Sequence, residues 1–222
     1  MCYSDLRSKY FVEANVNRTL PVLSLVLLST LLLFGCATKT PQIPINFQTI
    51  EPGGVVQRGE QRFKLLGKPL KLGDHLPDTI LVKASDFQEV PLADFSGKVL
   101  LISIVPSIDT KVCEQQTHYL GEQGNRLSPD IERITISRDT PFAQMRFARE
   151  TKLTDITFLS DYRDGAFGMA TGLLLDDLKL LARAVLVVDR TGIVRYMQVV
   201  PQLSNLPDME TAFQKAQKLN GR

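Results

Sequence analysis

The chain has 222 residues and a formal net charge of +2, enough for one medium domain with its own core plus a segment at one end. Its basic residues are scattered rather than run together, which excludes the electrostatic footprint of a nucleic-acid binder. Partners have to be argued from a site.

The N-terminal stretch is expected to lie outside the fold. Residues 22–34, VLSLVLLSTLLLF, form an apolar run too short to span a bilayer comfortably, preceded by Arg7, Lys9 and Arg18 and followed by small residues. That is the build of an export signal. The run ends in Leu33-Phe34-Gly35-Cys36, which resembles the lipobox of bacterial lipoproteins, in which the cysteine is acylated and becomes the new N-terminus. The stretch before the run is long and carries Asp5 and Glu13, and Phe34 is bulky for its place. The expected organisation is a signal peptide over 1–35, a lipid-anchored tether over 36–50 with Cys36 as the lipidation site, and a domain over 51–222. The domain would face the periplasm from the bacterial cell envelope. Residue 37 is Ala rather than Asp, which the lipoprotein resemblance implies favours sorting to the outer membrane. Cleavage before Cys36 discards Cys2 and leaves Cys113 as the one free thiol, unusual in a compartment that favours disulfides.

Between about Ala37 and Ile50, two prolines and polar residues suggest a tether. VVQRGEQRFKLLGKPLKLG then has turn signals at Gly59 and Gly67-Lys68-Pro69 between strand-like pieces, which predicts a hairpin. KVLLISIV, residues 98–105, is a continuous β-branched apolar run, as expected of a strand buried on both faces. A helix over about Lys111–Arg126 and a strand at 131–137 complete a βαβ unit with parallel strands. Thr140 as N-cap and Pro141 at the first helical position open a second helix that offers Phe142, Met145 and Phe147 to the core. ITFLS is a short strand and DGAFGMA a helical turn. RAVLVVD and IVRYMQVV, linked through Arg190-Thr191-Gly192, form an antiparallel hairpin. A helix over 207–219 opens with Pro207. A βαβ half followed by a helix, a hairpin and a terminal helix is the order of an α/β thioredoxin-like fold, here with an N-terminal β-hairpin extension.

Cys113 follows the central strand, where open α/β sheets place ligand sites. It also lies at a helix N-terminus, where unsatisfied amides and the helix dipole stabilise a thiolate. A lone cysteine is equally often a small buried hydrophobe, and position alone leaves both readings open. Thr110 stands where a C-x-x-C motif would have its first thiol, so a local disulfide cannot close and dithiol chemistry is disfavoured.

The segment PSIDTKVCEQQ matches the P-x-x-x-T-x-x-C motif of peroxiredoxins at Pro106, Thr110 and Cys113, and its PSIDT form resembles the thiol peroxidase subfamily. The resemblance runs from about Gly67 to Leu219 through GDHLPD, LADFSGK, DTPFAQMRF and LLARAVLVVD. It implies that Cys113 attacks hydrogen peroxide or an organic hydroperoxide as a thiolate. Thr110 would hydrogen-bond the substrate oxygens and sulfur, Pro106 would shield the thiol, and Arg183 would supply the fixed cation. Without the resemblance, Arg183 is a charge at a strand start, solvated or paired with Asp176 or Asp177, and Lys111 is a solvated first-turn residue. His75 and His118 have no metal-ligand spacing with Cys113, so no metal is expected, and no phosphate loop or other cofactor motif is present.

One departure matters. Thiol peroxidases carry a resolving cysteine on the second helix, and here the matching residue is Ala148. The expectation is a one-Cys cycle in which an external thiol, small or on a redox protein, rescues the oxidised Cys113. Other expected partners are the membrane, through the N-terminal lipid, and a second copy in a homodimer. The alternative is a catalytically retired redox sensor or binding lipoprotein, against which stands the joint retention of Pro106, Thr110, Cys113 and Arg183. A thiol-disulfide reductase or copper-delivery protein of the same fold would need C-x-x-C or C-x-x-x-C, and both are absent.

Overall fold

A computed structural model of the protein describes residues 42–221, so the signal, the lipobox, Cys2 and Cys36 lie outside the described residues. Among the described residues no helix is long and apolar enough to cross a membrane. The strands are β1 (Val55–Arg58), β2 (Gln61–Leu66), β3 (Ile80–Lys83), β4 (Glu89–Pro91), β5 (Val99–Ile104), β6 (Ile131–Ser137), β7 (Thr157–Ser160), β8 (Leu174–Leu175), β9 (Ala184–Val188) and β10 (Val194–Val199). The helices are α1 (Lys111–Glu122), α2 (Pro141–Thr151), α3 (Ala166–Thr171) and α4 (Met209–Asn220).

Seven strands form the main sheet in the order β10-β9-β5-β6-β7-β3-β4, with β5 parallel to β6 and antiparallel to β9. Every residue of β5 is buried because both faces of the sheet are covered. Alternation along the strand splits its side chains between two apolar clusters. Leu100, Ile102 and Ile104 join the cluster under the N-terminal hairpin, which contributes Val56, Phe63 and Leu65. Val99 and Leu101 join the cluster under α1, α2 and α4, with Leu120, Phe147 and Phe213. By the same alternation Ser103 falls on the helix side. It is the one polar side chain of β5, and α1 supplies its hydrogen-bond partner. Each fully buried aliphatic side chain contributes roughly 1.5–3 kcal/mol, so the two faces of β5 anchor the domain.

The hairpin expected near residue 59 is β1–β2, with Arg58 opposite Gln61 and Gly59 in the turn at φ +62. Its second strand pairs with β8 to make a separate three-stranded sheet. The parallel β5–α1–β6 unit, the β7 strand and the β9–β10 hairpin also stand where the pattern puts them.

Three expectations are corrected, and two strands are added to those expected. The stretch from 45 to 50 is not a free tether: Asn46 N donates to Leu206 O at 2.8 Å and Ile50 N to Val199 O at 3.0 Å. Gln198, 3 % exposed on β10, donates to Asn46 O at 2.7 Å and Gln48 O at 3.1 Å. A buried amide needs acceptors, and this segment supplies them while covering the edge strand of the sheet. The compact unit begins at Ile43. Phe142 is 68 % exposed and packs on Phe87 with ring centroids 4.7 Å apart. The inward face of α2 runs through Pro141, Gln144 and Phe147, and position 142 is a step of about 100° off that face. The terminal helix starts at Met209, because Asp208 is the N-cap, accepting from Thr211 N at 3.0 Å, and Pro207 precedes it. Finally, β3 and β4 are additional strands whose short, unevenly buried pieces gave no period; Pro91 sits on the outermost strand, the sheet position that tolerates it.

Candidate active site

The site forms where β5 ends. Val105, fully buried, leads into Pro106, Ser107, Ile108 and Asp109, after which Thr110 occupies the N-cap of α1. Ile108 plugs the loop into the core at 1 % exposure. The carboxylate of Asp139, at the end of β6, holds the loop from the other side. It accepts from Ser107 Oγ at 2.7 Å, Ile108 N at 2.8 Å and Ser137 Oγ at 2.6 Å. Arg146 of α2 pairs with Asp109 across the same loop at 3.2 Å.

Thr110 has extended backbone angles, yet its hydroxyl does not cap the helix. It lies 3.0 Å from Cys113 Sγ and 3.2 Å from Ser107 O. A hydroxyl has one proton, so it serves the carbonyl or the sulfur at any moment. The amides of Lys111, Val112 and Cys113 belong to the first turn and have no intrahelical acceptor. Donors therefore converge around Cys113 without being consumed by the fold.

Arg183 arrives by strand register. Because β9 runs antiparallel to β5 with Ala184 opposite Ile104, the residue before β9 lies beside the loop that carries Cys113. Arg183 is 2 % exposed. Its Nε donates to Leu203 O at 3.0 Å, Nη1 to Gln116 Oε1 at 2.8 Å and Nη2 to Cys113 Sγ at 3.2 Å. The reading of Arg183 as a solvated charge or a partner of Asp176 or Asp177 fails on this geometry; Asp176 pairs instead with Lys179 at 3.2 Å. Burial pulls the Arg183 pKa below its ordinary value, and the neighbouring Cys113 sulfur opposes that fall. A buried guanidinium without a counter-charge costs several kcal/mol. Of its three acceptors only the sulfur can carry a negative charge, so the site is built around a cation facing a potential thiolate.

Gln116, fully buried one turn after Cys113, was not legible as a site residue. A guanidinium only donates, so Gln116 turns its carbonyl oxygen to Arg183. Its Nε2 then donates to Ser103 Oγ at 2.8 Å and Ala184 O at 3.2 Å. The available signal was the i, i+3 spacing from Cys113, which places both on one helix face. Asp139 was missed as well, since nothing local marks it.

Cys113 is fully buried. It lies one layer behind a cleft of about 280 Å³ whose wall includes Pro106, Thr110, Val112 and Arg183. The three motif residues and Arg183 thus meet at one place. Lys111 is exposed, as expected of a first-turn residue. Ala148 is half-buried against the same apolar cluster as Cys113, and Cys113 is the one cysteine among the described residues. His118 Nδ1 is hydrogen-bonded to Glu122 at 2.7 Å. Among the described residues no three His, Cys, Asp or Glu side chains group as metal ligands.

The Redoxin family model matches residues 71–213. A thiol peroxidase of Listeria monocytogenes is 44 % identical over 154 residues, covering 69 % of this chain and 92 % of the relative. A thiol peroxidase of Bacillus subtilis is 41 % identical over 155 residues, covering 70 % and 92 %. Among solved structures, a peroxiredoxin-like protein from Aquifex aeolicus superposes with a TM-score of 0.69 at 32 % identity, covering 74 % of this chain and 96 % of that one. With a Redoxin match that contains Pro106, Thr110, Cys113 and Arg183 and full-domain similarity to thiol peroxidases, the chain belongs to the peroxiredoxins, in their thiol peroxidase subfamily.

Proposed function

We propose that the protein reduces hydrogen peroxide and organic hydroperoxides at Cys113 in a one-thiol cycle. The observation that carries this reading is the pair of donors on the buried sulfur, Arg183 Nη2 at 3.2 Å and Thr110 Oγ1 at 3.0 Å. The thiolate attacks one peroxide oxygen, the O–O bond breaks, and the sulfur is oxidised to a sulfenic acid. The other oxygen leaves as water or an alcohol after taking up a proton. Arg183, Thr110 and the first-turn amides of α1 stabilise charge developing on the oxygens. Pro106 has no amide hydrogen to compete for them and covers the pocket. An external thiol then condenses with the sulfenic acid, releasing water and leaving a mixed disulfide. A second thiol displaces Cys113 as the free thiol and departs as a disulfide with the first. Ala148 in place of a resolving cysteine supports this external step.

The same proposal extends to placement and assembly. Residues 1–35 act as an export signal and Cys36 carries lipid, so the domain works in the cell envelope, facing the periplasm from the outer membrane. A homodimer forms through the face beside the active-site loop, where the exposed Phe87–Phe142 pair lies one helical turn from Arg146 and its Asp109 partner. Treating the protein with one equivalent of hydroperoxide in the presence of a sulfenic-acid trap, followed by mass spectrometry, tests the chemistry. An adduct on Cys113 is expected. Its absence would leave a sensor or binding lipoprotein as the better reading. The mass of the mature N-terminus from cell membranes tests the anchor, and sedimentation tests the dimer.

A further inference from the structure

Arg138 and Asp139, the two residues that follow β6, serve two different walls of the active-site cleft. Asp139 holds the wall that carries Ser107 and the thiol loop. Arg138 serves the other, and each hydrogen bond of its guanidinium goes to a backbone carbonyl. Nε donates to Asp161 O at 2.9 Å, and Nη2 donates to Tyr162 O at 3.0 Å and Arg163 O at 3.2 Å, all in the segment that follows β7. Nη1 donates to Lys179 O at 2.7 Å. Gly165, at φ +69, leaves the guanidinium its room, since a Cβ there would lie 3.3 Å from Arg138 Cζ.

Lys179 is the apex of a turn whose flanking side chains, Leu178 and Leu180, line the cleft together with Leu175. The turn closes on itself: Lys179 N donates to Leu175 O at 3.0 Å and Leu175 N to Leu180 O at 2.8 Å. Its start is tied to β2, where Asp176 N donates to Lys64 O at 3.0 Å. Among the described residues, the bond from Arg138 is the one hydrogen bond that links residues 177–179 to another element. Lys179 has φ +50, a left-handed conformation that a residue other than glycine keeps only where its surroundings hold it. Leu178 is 42 % exposed, so packing alone does not fix this tip.

We propose that Arg138 is a positioning residue that sets the spacing between the leucine turn and the thiol loop, and so fixes how much binding the organic part of a hydroperoxide gains in the cleft. The inference rests on the peroxidase reading of Cys113. A planar guanidinium suits this place because its several donors reach the carbonyls after β7 and Lys179 O at once. Through Asp139 and Arg138 both walls are referenced to adjacent residues of one chain. Without Arg138 the turn keeps its own hydrogen bonds but loses its fixed distance from Ser107. Hydrogen peroxide has no organic part and depends on Cys113, Thr110 and Arg183, whereas a bulky hydroperoxide also depends on the wall.

The test measures the second-order rate constants for oxidation of Cys113 by cumene hydroperoxide and by hydrogen peroxide in the whole protein, by quenched flow and intact mass with no reductant present. Arg138→Gln is expected to lower the cumene-to-hydrogen-peroxide ratio about fourfold, the factor that one buried methylene represents. Arg138→Lys, whose ammonium serves one side only, should lower it as well and covers the case in which the glutamine variant fails to fold. Because the two peroxides are compared within each variant, a general loss of fold or activity cancels. Leu178→Ala should lower the ratio on its own. Adding Arg138→Gln to it should then have a smaller effect than in the wild type, since both act through one wall. An unchanged or raised ratio in either Arg138 variant, or fully additive effects in the double variant, would overturn the proposal. No oxidation of wild-type Cys113 by either peroxide would overturn the peroxidase reading itself, a separate result.

Discussion

Arg183 Nη2 lies 3.2 Å from Cys113 Sγ while Nη1 of the same guanidinium is held at 2.8 Å by Gln116 Oε1. The cation is fixed on two sides by the helix that carries the thiol. A lysine cannot reproduce that fork, because its single ammonium cannot reach the sulfur, Gln116 and Leu203 O with planar geometry. Arg183→Lys is expected to lower kcat/KM for hydroperoxide by about a hundredfold or more, the scale of losing a preorganised donor. Stopped-flow peroxide consumption checks this, with circular dichroism to confirm the fold.

Gln116 tests whether positioning of the cation matters apart from its presence. Gln116→Leu removes the acceptor for Arg183 and strands Ser103 Oγ, so about 1–3 kcal/mol of stability should go with it. Gln116→Glu keeps an acceptor for the guanidinium while losing the donors to Ser103 and Ala184 O. The glutamate variant should therefore retain more of the peroxide rate than the leucine variant. Equal rates in the two would assign Gln116 to packing alone.

The active-site loop is expected to open when Asp139 is removed. Its carboxylate gathers Ser107 Oγ, Ile108 N and Ser137 Oγ within 2.8 Å, and no other side chain takes that place. Asp139→Ala should speed alkylation of the buried Cys113 by iodoacetamide and slow its reaction with peroxide, each by about tenfold if roughly 1.4 kcal/mol of loop stability is lost. Slower alkylation would contradict this account of the loop.

The β9–β10 turn gives the expected pH dependence of stability. Burial alone would raise the Asp189 carboxyl, but hydrogen bonds from Thr191 Oγ1, Arg195 and the amides of Ile193 and Thr191 outweigh it and hold its pKa at about 2. The ordinary aspartate value in an unfolded chain is about 3.9. The folded value is the lower one, so Asp189 stabilises the fold above pH about 4 and this contribution is lost as pH falls toward about 2. Thermal melts of wild type and Asp189→Asn should differ at pH 7 and 5 and converge as pH falls from about 4 toward about 2. A gap that widens on acidification would contradict the assignment.

Much of the scaffold was legible because it is local. The β5 run, the N-cap and proline of α2, and the Thr110-to-Cys113 spacing each carry their physics within a few residues. Arg183 was not legible from its surroundings in sequence: its partners Gln116, Cys113 and Leu203 are 67, 70 and 20 positions away, and only the family resemblance singled it out. The docked segment before residue 51 was missed because the demand for it arises at Gln198, 150 and 152 positions later. Phe142 was assigned to the core on hydrophobicity, whereas helix phase gives the inward place to Gln144.

The most direct measurement is the stoichiometry of peroxide loss in the absence of added thiol, for the wild type and for Cys113→Ser. One hydroperoxide consumed per protein, together with one oxygen gained at Cys113, is the expected result, and Cys113→Ser should consume none. Undiminished consumption by Cys113→Ser would contradict the assignment of Cys113 as the nucleophile.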